Sequence, residues 1–84
     1  MRQLLSQVPE GTQSYKILKY ILDKGSITTI EAFVHYGITR LSARIYDLRH
    51  TYGIQIDTEN VIIKKQKGGY VKYARYSLGG NYEE

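Results

Sequence analysis

Apolar residues recur at helical spacing in three consecutive segments, residues 12–25, 28–37 and 39–53. Each segment begins with a threonine, whose side chain can accept a hydrogen bond from a backbone N–H at the start of a helix. Each segment also ends at a glycine, which tolerates the left-handed conformation that terminates many helices. The pattern therefore predicts three helices, each with one apolar face turned towards a shared core.

The second segment carries a further start signal, because Thr28 and Glu31 have the spacing of a capping box. Each side chain of such a pair can bond a backbone N–H at the helix start. The residues predicted to face the core are Tyr15, Leu18, Ile21 and Leu22 in the first helix, Ile30, Phe33 and Val34 in the second, and Leu41, Ile45, Leu48 and Tyr52 in the third.

The connection between the second and third helices is very short. Only Gly37 and Ile38 separate the second helix from Thr39. A connection of this length requires a sharp turn, and Ile38 can fill the gap between the two helices. This arrangement is typical of a helix-turn-helix, with the third helix as its second member.

The apolar pattern changes beyond residue 60. Residues 61–78, VIIKKQKGGYVKYARYSL, place Gly68 and Gly69 between two strand-favouring stretches, which predicts a β-hairpin with a two-residue turn. In that register one face is apolar near the base and lysine-rich near the tip, as in the projecting hairpin called a wing. The predicted cross-strand pairs are Lys67 with Tyr70, Lys65 with Lys72, Ile63 with Ala74 and Val61 with Tyr76.

A short strand at Ser26 and Ile27 completes the predicted order of helix, strand, helix, helix and hairpin. Leu78 extends the apolar base of the hairpin, whereas Ile62, Val71 and Tyr73 make its outer face more apolar than a free surface requires. The fold class is therefore α+β, with three helices, a short strand and a C-terminal β-hairpin. Residues 1–11 are expected to be an N-terminal extension and residues 79–84 a tail, each either flexible or holding a contact with a partner.

Composition narrows the classes of function. The 84 residues suffice for one small domain, and the absence of cysteine excludes a disulfide framework and a thiolate metal site. His35 and His50 lack neighbouring ligands at metal-binding spacing, so neither a metal nor a cofactor is expected. No nucleophile occupies a recognisable activating turn, and we predict that the protein is not an enzyme. No apolar run resembles a membrane span or a signal peptide, so a cytoplasmic location is expected.

The net charge of +4 is a weak indication of an anionic partner by itself, but the distribution of charge is more informative. Residues 61–78 contain five cationic residues and no acidic residue. The stretches GSITTIEAFVHYGITRLSARIYDLRHTYGI and YARYSL resemble short winged helix-turn-helix domain proteins of bacteriophages and prophages, and the resemblance covers residues 12–78. It implies a DNA-binding module.

A helix-turn-helix inserts its second helix into the major groove, led by that helix's N-terminal residues. Arg40 is the best candidate for a base contact, because its guanidinium matches the two acceptors of guanine. Arg44 and Arg49 lie nearer the apolar stripe and are expected either to reach phosphate or to pair with Glu31 or Asp47. The predicted contact residues are Thr39, Arg40, Ser42, Ala43, Arg44, Tyr46 and Arg49.

The hairpin supplies a second set of predicted contacts, to phosphate or the minor groove. The alternative is that its lysines only protect the strands from aggregation. The residues of this set are Lys64, Lys65, Lys67, Gly68, Gly69, Lys72 and Arg75.

The predicted function is sequence-specific binding of double-stranded DNA by a phage or prophage transcriptional regulator in the bacterial host cytoplasm, where it would be nucleoid-associated when bound. Two alternatives stay open. One is a DNA-architectural, replication or recombination accessory factor, and the other is a protein-interaction module that binds a host enzyme. A homodimer or a protein partner is also left open, whereas no membrane partner is expected.

Overall fold

The computed structural model describes residues 2–79, with the side chains described from residue 4 onwards. Within this range, four helices and three strands follow one another. They are α1 (Arg2–Leu5), α2 (Gln13–Lys24), β1 (Ile27–Thr28), α3 (Thr29–Tyr36), α4 (Leu41–His50), β2 (Ile56–Lys64) and β3 (Tyr70–Leu78). The three predicted helices, the short strand and the hairpin are all present, and the fold class is α+β as expected.

The predicted caps of the first two long helices are confirmed. Thr12 accepts a hydrogen bond from the Tyr15 N–H at 3.1 Å, and Gly25 ends α2 in the left-handed conformation. Thr28 and Glu31 form the complete capping box of α3, with bonds of 3.1 and 2.9 Å. These local bonds satisfy backbone donors that a helix start otherwise leaves unpaired.

The start of α4 differs from the expected one. Its N-cap residue is Arg40, which makes no side-chain capping bond, so Thr39 does not cap the helix. Four residues, from Gly37 to Arg40, therefore connect α3 to α4. Ile38 is 2% exposed and fills the space between the helices as predicted, which fixes the turn by packing.

The core lies between α2, α4 and the base of the sheet. Leu18, Ile21, Leu41, Ile45 and Leu48 are buried as predicted. Tyr15, Leu22 and Tyr52 are partly buried at the edge of this core. The predicted face of α2 omitted one fully buried residue, Ile17.

The predicted inner face of α3 is wrong. Ile30, Phe33 and Val34 are exposed by 59, 58 and 69%, whereas Ala32 is completely buried. The small Ala32 side chain lets the backbone of α3 approach its neighbours closely, while the chain on either side of α3 contributes the buried Ile27 and Ile38. The larger apolar residues of α3 consequently point to solvent.

The strands form one antiparallel sheet in the order β1-β3-β2. Ile27 pairs with Tyr76 and Thr28 with Arg75, so the short strand lies one residue later than predicted. The inner face of β3 is as expected, with Tyr76 buried and Ala74 and Leu78 packed against the core.

The predicted register of the hairpin is wrong by three residues. Lys72 pairs with Ile62, Ala74 with Asn60 and Tyr76 with Thr58, while Lys65 and Lys67 belong to the loop. The Lys65 N–H donates to the Gly69 carbonyl at 3.0 Å, and the Gly68 N–H donates to the Lys65 carbonyl at 3.3 Å. Both glycines adopt positive φ, but they end a longer loop instead of forming the whole turn.

Because three is an odd number, this shift turns every β2 side chain to the other face of the sheet. Val61 and Ile63 therefore do not reach the core as predicted. They lie with Val71 and Tyr73 on the outer face, and Ile62 lies on the inner face. Above its base the hairpin is largely exposed, so it projects from the helices as a wing.

The N-terminal segment, expected to be an extension that is either flexible or in contact with a partner, packs on the domain. Leu5, at the end of α1, and Val8 are 8 and 3% exposed and belong to the core. At the other end, the Gly79 N–H donates to the Gln55 carbonyl and continues the pairing of β2 with β3. The rest of the predicted tail, residues 80–84, lies outside the described residues.

Candidate nucleic-acid interface

The outward face of α4 is the first part of the candidate site. Leu41, Ile45 and Leu48 anchor the opposite side of the helix in the core. Ser42, Tyr46 and His50 are exposed, and Ala43 and Asp47 are partly exposed beside them. The Tyr46 and His50 rings lie 4.1 Å apart, centroid to centroid. The helix thus presents a continuous exposed surface with polar and aromatic groups.

Arg40 and Thr39 lie at the leading end of this surface, and both are exposed. The side chain of Arg40 makes no hydrogen bond or ion pair with any residue between 2 and 79. Its guanidinium is therefore available to a ligand without breaking an internal bond.

Arg44 has a different environment. Its Nη1 donates to the Gln13 side chain at 3.2 Å, and its Nη2 lies 3.1 Å from Asp47 Oδ2. The pairing with Asp47 was one of the two roles expected for this residue. A polar cleft of about 240 Å³ adjoins it, lined by Thr12, Gln13, Ser14, Arg44, Asp47 and Tyr52. These contacts join α4 to the start of α2.

Arg49 joins α4 to the wing. Its Nη2 donates to the Ile56 carbonyl at 2.6 Å and to Thr58 Oγ1 at 2.7 Å, and its Nε donates to the same carbonyl at 3.0 Å. None of the expected partners, Glu31, Asp47 or phosphate, accounts for these bonds. All three bonds hold the first residues of β2 against the end of α4.

The wing supplies the second part of the candidate site. Lys64 and Lys72 lie on the inner face of the sheet, the face that packs on the helices at its base. Lys65 and Lys67 lie in the loop with Gly68 and Gly69. All four lysines are exposed, and none forms an ion pair within the described part of the chain. The cationic tip is thus accessible from the helix side of the sheet.

Arg75 does not belong to this group. It lies on the outer face opposite Glu59, and its Nη1 is 3.3 Å from Glu59 Oε1. Its charge is therefore partly compensated within the chain and points away from the face of Lys64 and Lys72.

Two exposed aromatic residues adjoin the predicted set but were not in it. Tyr70 is 68% exposed and lies opposite Lys64 on the inner face of the wing. The His50 ring lies against that of Tyr46, with the two ring planes tilted by 33°. The four-residue spacing of Tyr46 and His50 is a sequence signal for a shared helix face. The position of Tyr70 depends on the register, which the two glycines alone do not determine.

A cluster of aromatic rings lies away from this surface, where Tyr20 of α2 approaches His35 and Tyr36 of α3. Desolvation, followed by the neighbouring Glu31 carboxylate, raises the pKa of the Tyr20 phenol above its ordinary value.

No group of three histidine or acidic side chains within residues 2–79 is placed to hold a metal ion. None of the helices in this range is both long enough and apolar enough to span a bilayer.

Residues 12–81 match a family model described as a winged helix-turn-helix domain. No curated protein and no solved structure matches the chain. Domains of this type typically bind DNA and are not catalytic. The match extends over most of the chain and includes the three long helices, the short strand and the wing, so the chain belongs to the winged helix-turn-helix domain family.

Proposed function

We propose that this protein binds double-stranded DNA sequence-specifically, with α4 in the major groove and the wing on the flanking backbone. The observation that supports this most directly is the Arg40 guanidinium at the leading end of the exposed face of α4, which has no partner among residues 2–79. An arginine without an internal partner loses no protein contact when it binds a ligand.

The length and anchoring of α4 suit this role. Its ten residues span about 15 Å, and its width allows it to enter a major groove about 12 Å wide. In this position Arg40 donates to both acceptors of a guanine, and Thr39 donates to a phosphate. Ser42 and Tyr46 then contact the next bases or sugars, with Ala43 close to the groove floor.

The wing lysines provide contacts that do not depend on sequence. Lys64, Lys65, Lys67 and Lys72 can each neutralise a phosphate, and Gly68 and Gly69 let the loop backbone approach the duplex. Every such contact contributes about 0.9 to the slope of log affinity against log salt. Binding should therefore weaken steeply as salt increases.

The three arginines that already have partners receive a supporting role in this proposal. Arg44 and Arg49 orient α4 relative to α2 and β2, and Arg75 is held by Glu59. They can still approach phosphate, but a contact there would have to compete with these internal bonds.

The test is selection of duplexes from a random pool, followed by titration of the recovered sequence by fluorescence anisotropy. Arg40→Ala should reduce affinity for the selected site by about 1–3 kcal/mol, roughly 5- to 150-fold, and relax its sequence preference. Lys24→Ala is the matched control, because it removes one positive charge from the far end of α2.

Equal losses in the two variants would show that only net charge matters and would contradict a base contact by Arg40. Failure of the wild-type chain to bind any duplex at low salt would contradict the whole proposal.

We further propose that the protein is a transcriptional regulator acting in the cytoplasm of a bacterial host. The resemblance to phage and prophage proteins supports a DNA-binding module, and the regulatory role is part of the proposal. If the selected sequence occurs at promoters, it supports this role. Its occurrence at replication origins or recombination sites instead would favour the accessory-factor alternative.

A further inference from the structure

The strand β2 forms a free edge of the sheet. In the order β1-β3-β2 it has β3 on one side and no strand of residues 2–79 on the other. It is nine residues long, and all but Ile56 and Val61 are exposed. A long edge strand presents unpaired N–H and C=O groups that can accept a further strand.

The positions of these free groups along β2 follow from its pairing with β3. Gln55 and Lys65, both odd-numbered, bond across to Gly79 and Gly69. Backbone bonds alternate in an antiparallel pair, so the odd-numbered residues of β2 point theirs towards β3. The even-numbered residues point theirs to the free edge.

The outward carbonyl of the first even-numbered residue, Ile56, already has a hydrogen-bond partner. Arg49 donates twice to the Ile56 carbonyl, which covers the start of the edge. Outward backbone groups then remain free at Thr58, Asn60, Ile62 and Lys64 within the described part of the chain. These four residues lie symmetrically about Val61.

The charged side chains are also unequally distributed along the strand. The acidic groups of its first half are Asp57 and Glu59, of which Glu59 already pairs with Arg75 of β3. Lys64 and the following Lys65, in contrast, make its end basic. An antiparallel copy of the same strand would bring each acidic half beside a basic end. A parallel copy would bring like charges together, which is unfavourable.

We propose that two copies of this chain pair through β2 in antiparallel orientation, with the two-fold axis at Val61. In this register Thr58 faces Lys64 of the second copy, and Asn60 faces Ile62. All four free residues then exchange backbone bonds with the second copy. Asp57 faces Lys65, while Glu59 faces Ile63.

This pairing also accounts for the apolar outer face of the wing. Val61 and Ile63 lie there with Val71 and Tyr73, and Ile63 and Val71 are 49 and 40% exposed. The two-fold axis brings the Val61 side chains of both copies together. The apolar outer faces of the two wings then form one continuous surface. An isologous contact of this kind closes as a dimer and does not propagate.

Cysteine cross-linking tests the register directly, because the chain has no cysteine of its own. Val61 would face itself across a non-hydrogen-bonded pair with Cα atoms about 4.5 Å apart, within the range that a disulfide bridges. Ile63 lies on the same face and is the more exposed residue, but its two copies would be about 13 Å apart.

Under mild oxidation in the absence of DNA, Val61→Cys should form covalent dimers at least about tenfold faster than Ile63→Cys. Random collisions would favour the more exposed Ile63 position instead. Equal rates, or faster cross-linking of Ile63→Cys, would overturn the proposed register.

Charge exchange gives an independent test by sedimentation velocity. The wild-type mass should rise from 9.7 kDa towards twice that value with concentration. Asp57→Lys and Lys65→Glu should each weaken the dimer, and the double variant should restore it. Asp57 and Lys65 of one chain are about 26 Å apart, so only contact between two chains can explain restoration.

If the wild-type chain stays monomeric over the accessible concentrations, the proposed dimer is wrong. The edge of β2 would then be available to pair with a strand of another protein. Neither test contains DNA, so failure here is distinguishable from failure of the proposed DNA binding.

Discussion

Three arginines on or beside α4 have different environments although their sequence neighbourhoods are similar. Arg40 has no partner among the described residues, Arg44 bonds Gln13 and Asp47, and Arg49 bonds β2. The position of Arg40 at the leading end of the helix already distinguished it from Arg44 and Arg49 in the sequence. The Asp47 pairing follows from local spacing, but the contacts of Arg44 with Gln13 and of Arg49 with Ile56 depend on packing between distant segments.

Arg49→Ala should lower the free energy of unfolding by about 1–2 kcal/mol, because hydrogen bonds from a charged donor to the chain are lost. Urea unfolding followed by circular dichroism measures this change. Arg40→Ala is the control and should stay within about 0.5 kcal/mol, as expected for an exposed residue without partners. A comparable loss in both variants would contradict the structural role of Arg49.

At the scale of elements, the predicted boundaries of α3 and the predicted place of the wing loop are correct, whereas the residues of α3 and β2 predicted to face the core are wrong. The capping box fixed the start of α3, but its short apolar stripe did not reveal which side meets the core. In the wing, the two glycines correctly indicated where the loop lies, but the strand register predicted from them was wrong. Both errors concern orientation, which is decided by packing between elements.

The corrected register leads to a prediction about Lys64 and Lys72, which share the inner face of the wing. Replacing both by glutamine should weaken binding to selected and random duplexes equally and reduce the salt slope by about 2, because two phosphate contacts are lost. Anisotropy titrations at several salt concentrations measure the slope. The double change of Lys19 and Lys24 to glutamine on α2 removes the same charge and should leave the slope nearly unchanged.

A selective loss on the recognition sequence alone would be inconsistent with phosphate contacts by Lys64 and Lys72, because phosphates carry no sequence information.

At the scale of the whole molecule, the N-terminal segment completes a small core. A chain of this length buries a limited apolar area, so each buried residue contributes a large share of stability. Leu5 and Val8 lie in the same core cluster as the residues of α2 and α4. Their contribution is independent of the DNA-binding surface that we propose.

Replacing Leu5 and Val8 together by alanine should lower the free energy of unfolding by about 2–4 kcal/mol through lost burial and cavity formation. Thermal and urea unfolding measure the effect, and Gln7→Ala is an exposed control in the same segment. An unchanged stability would mean that this segment does not belong to the cooperative core.

The sequence by itself determined the order of the three long helices, the short strand and the hairpin, the caps of α2 and α3, the helix-turn-helix and the presence of a wing, but not α1. These features follow from local chemistry, namely capping bonds, glycine conformations and the period of apolar residues. The tertiary structure decided which side of α3 is buried, which face each wing residue occupies and which arginines are free. Those properties depend on contacts between segments far apart in the chain, where a small alanine or an odd shift of register reverses the outcome without changing the local pattern.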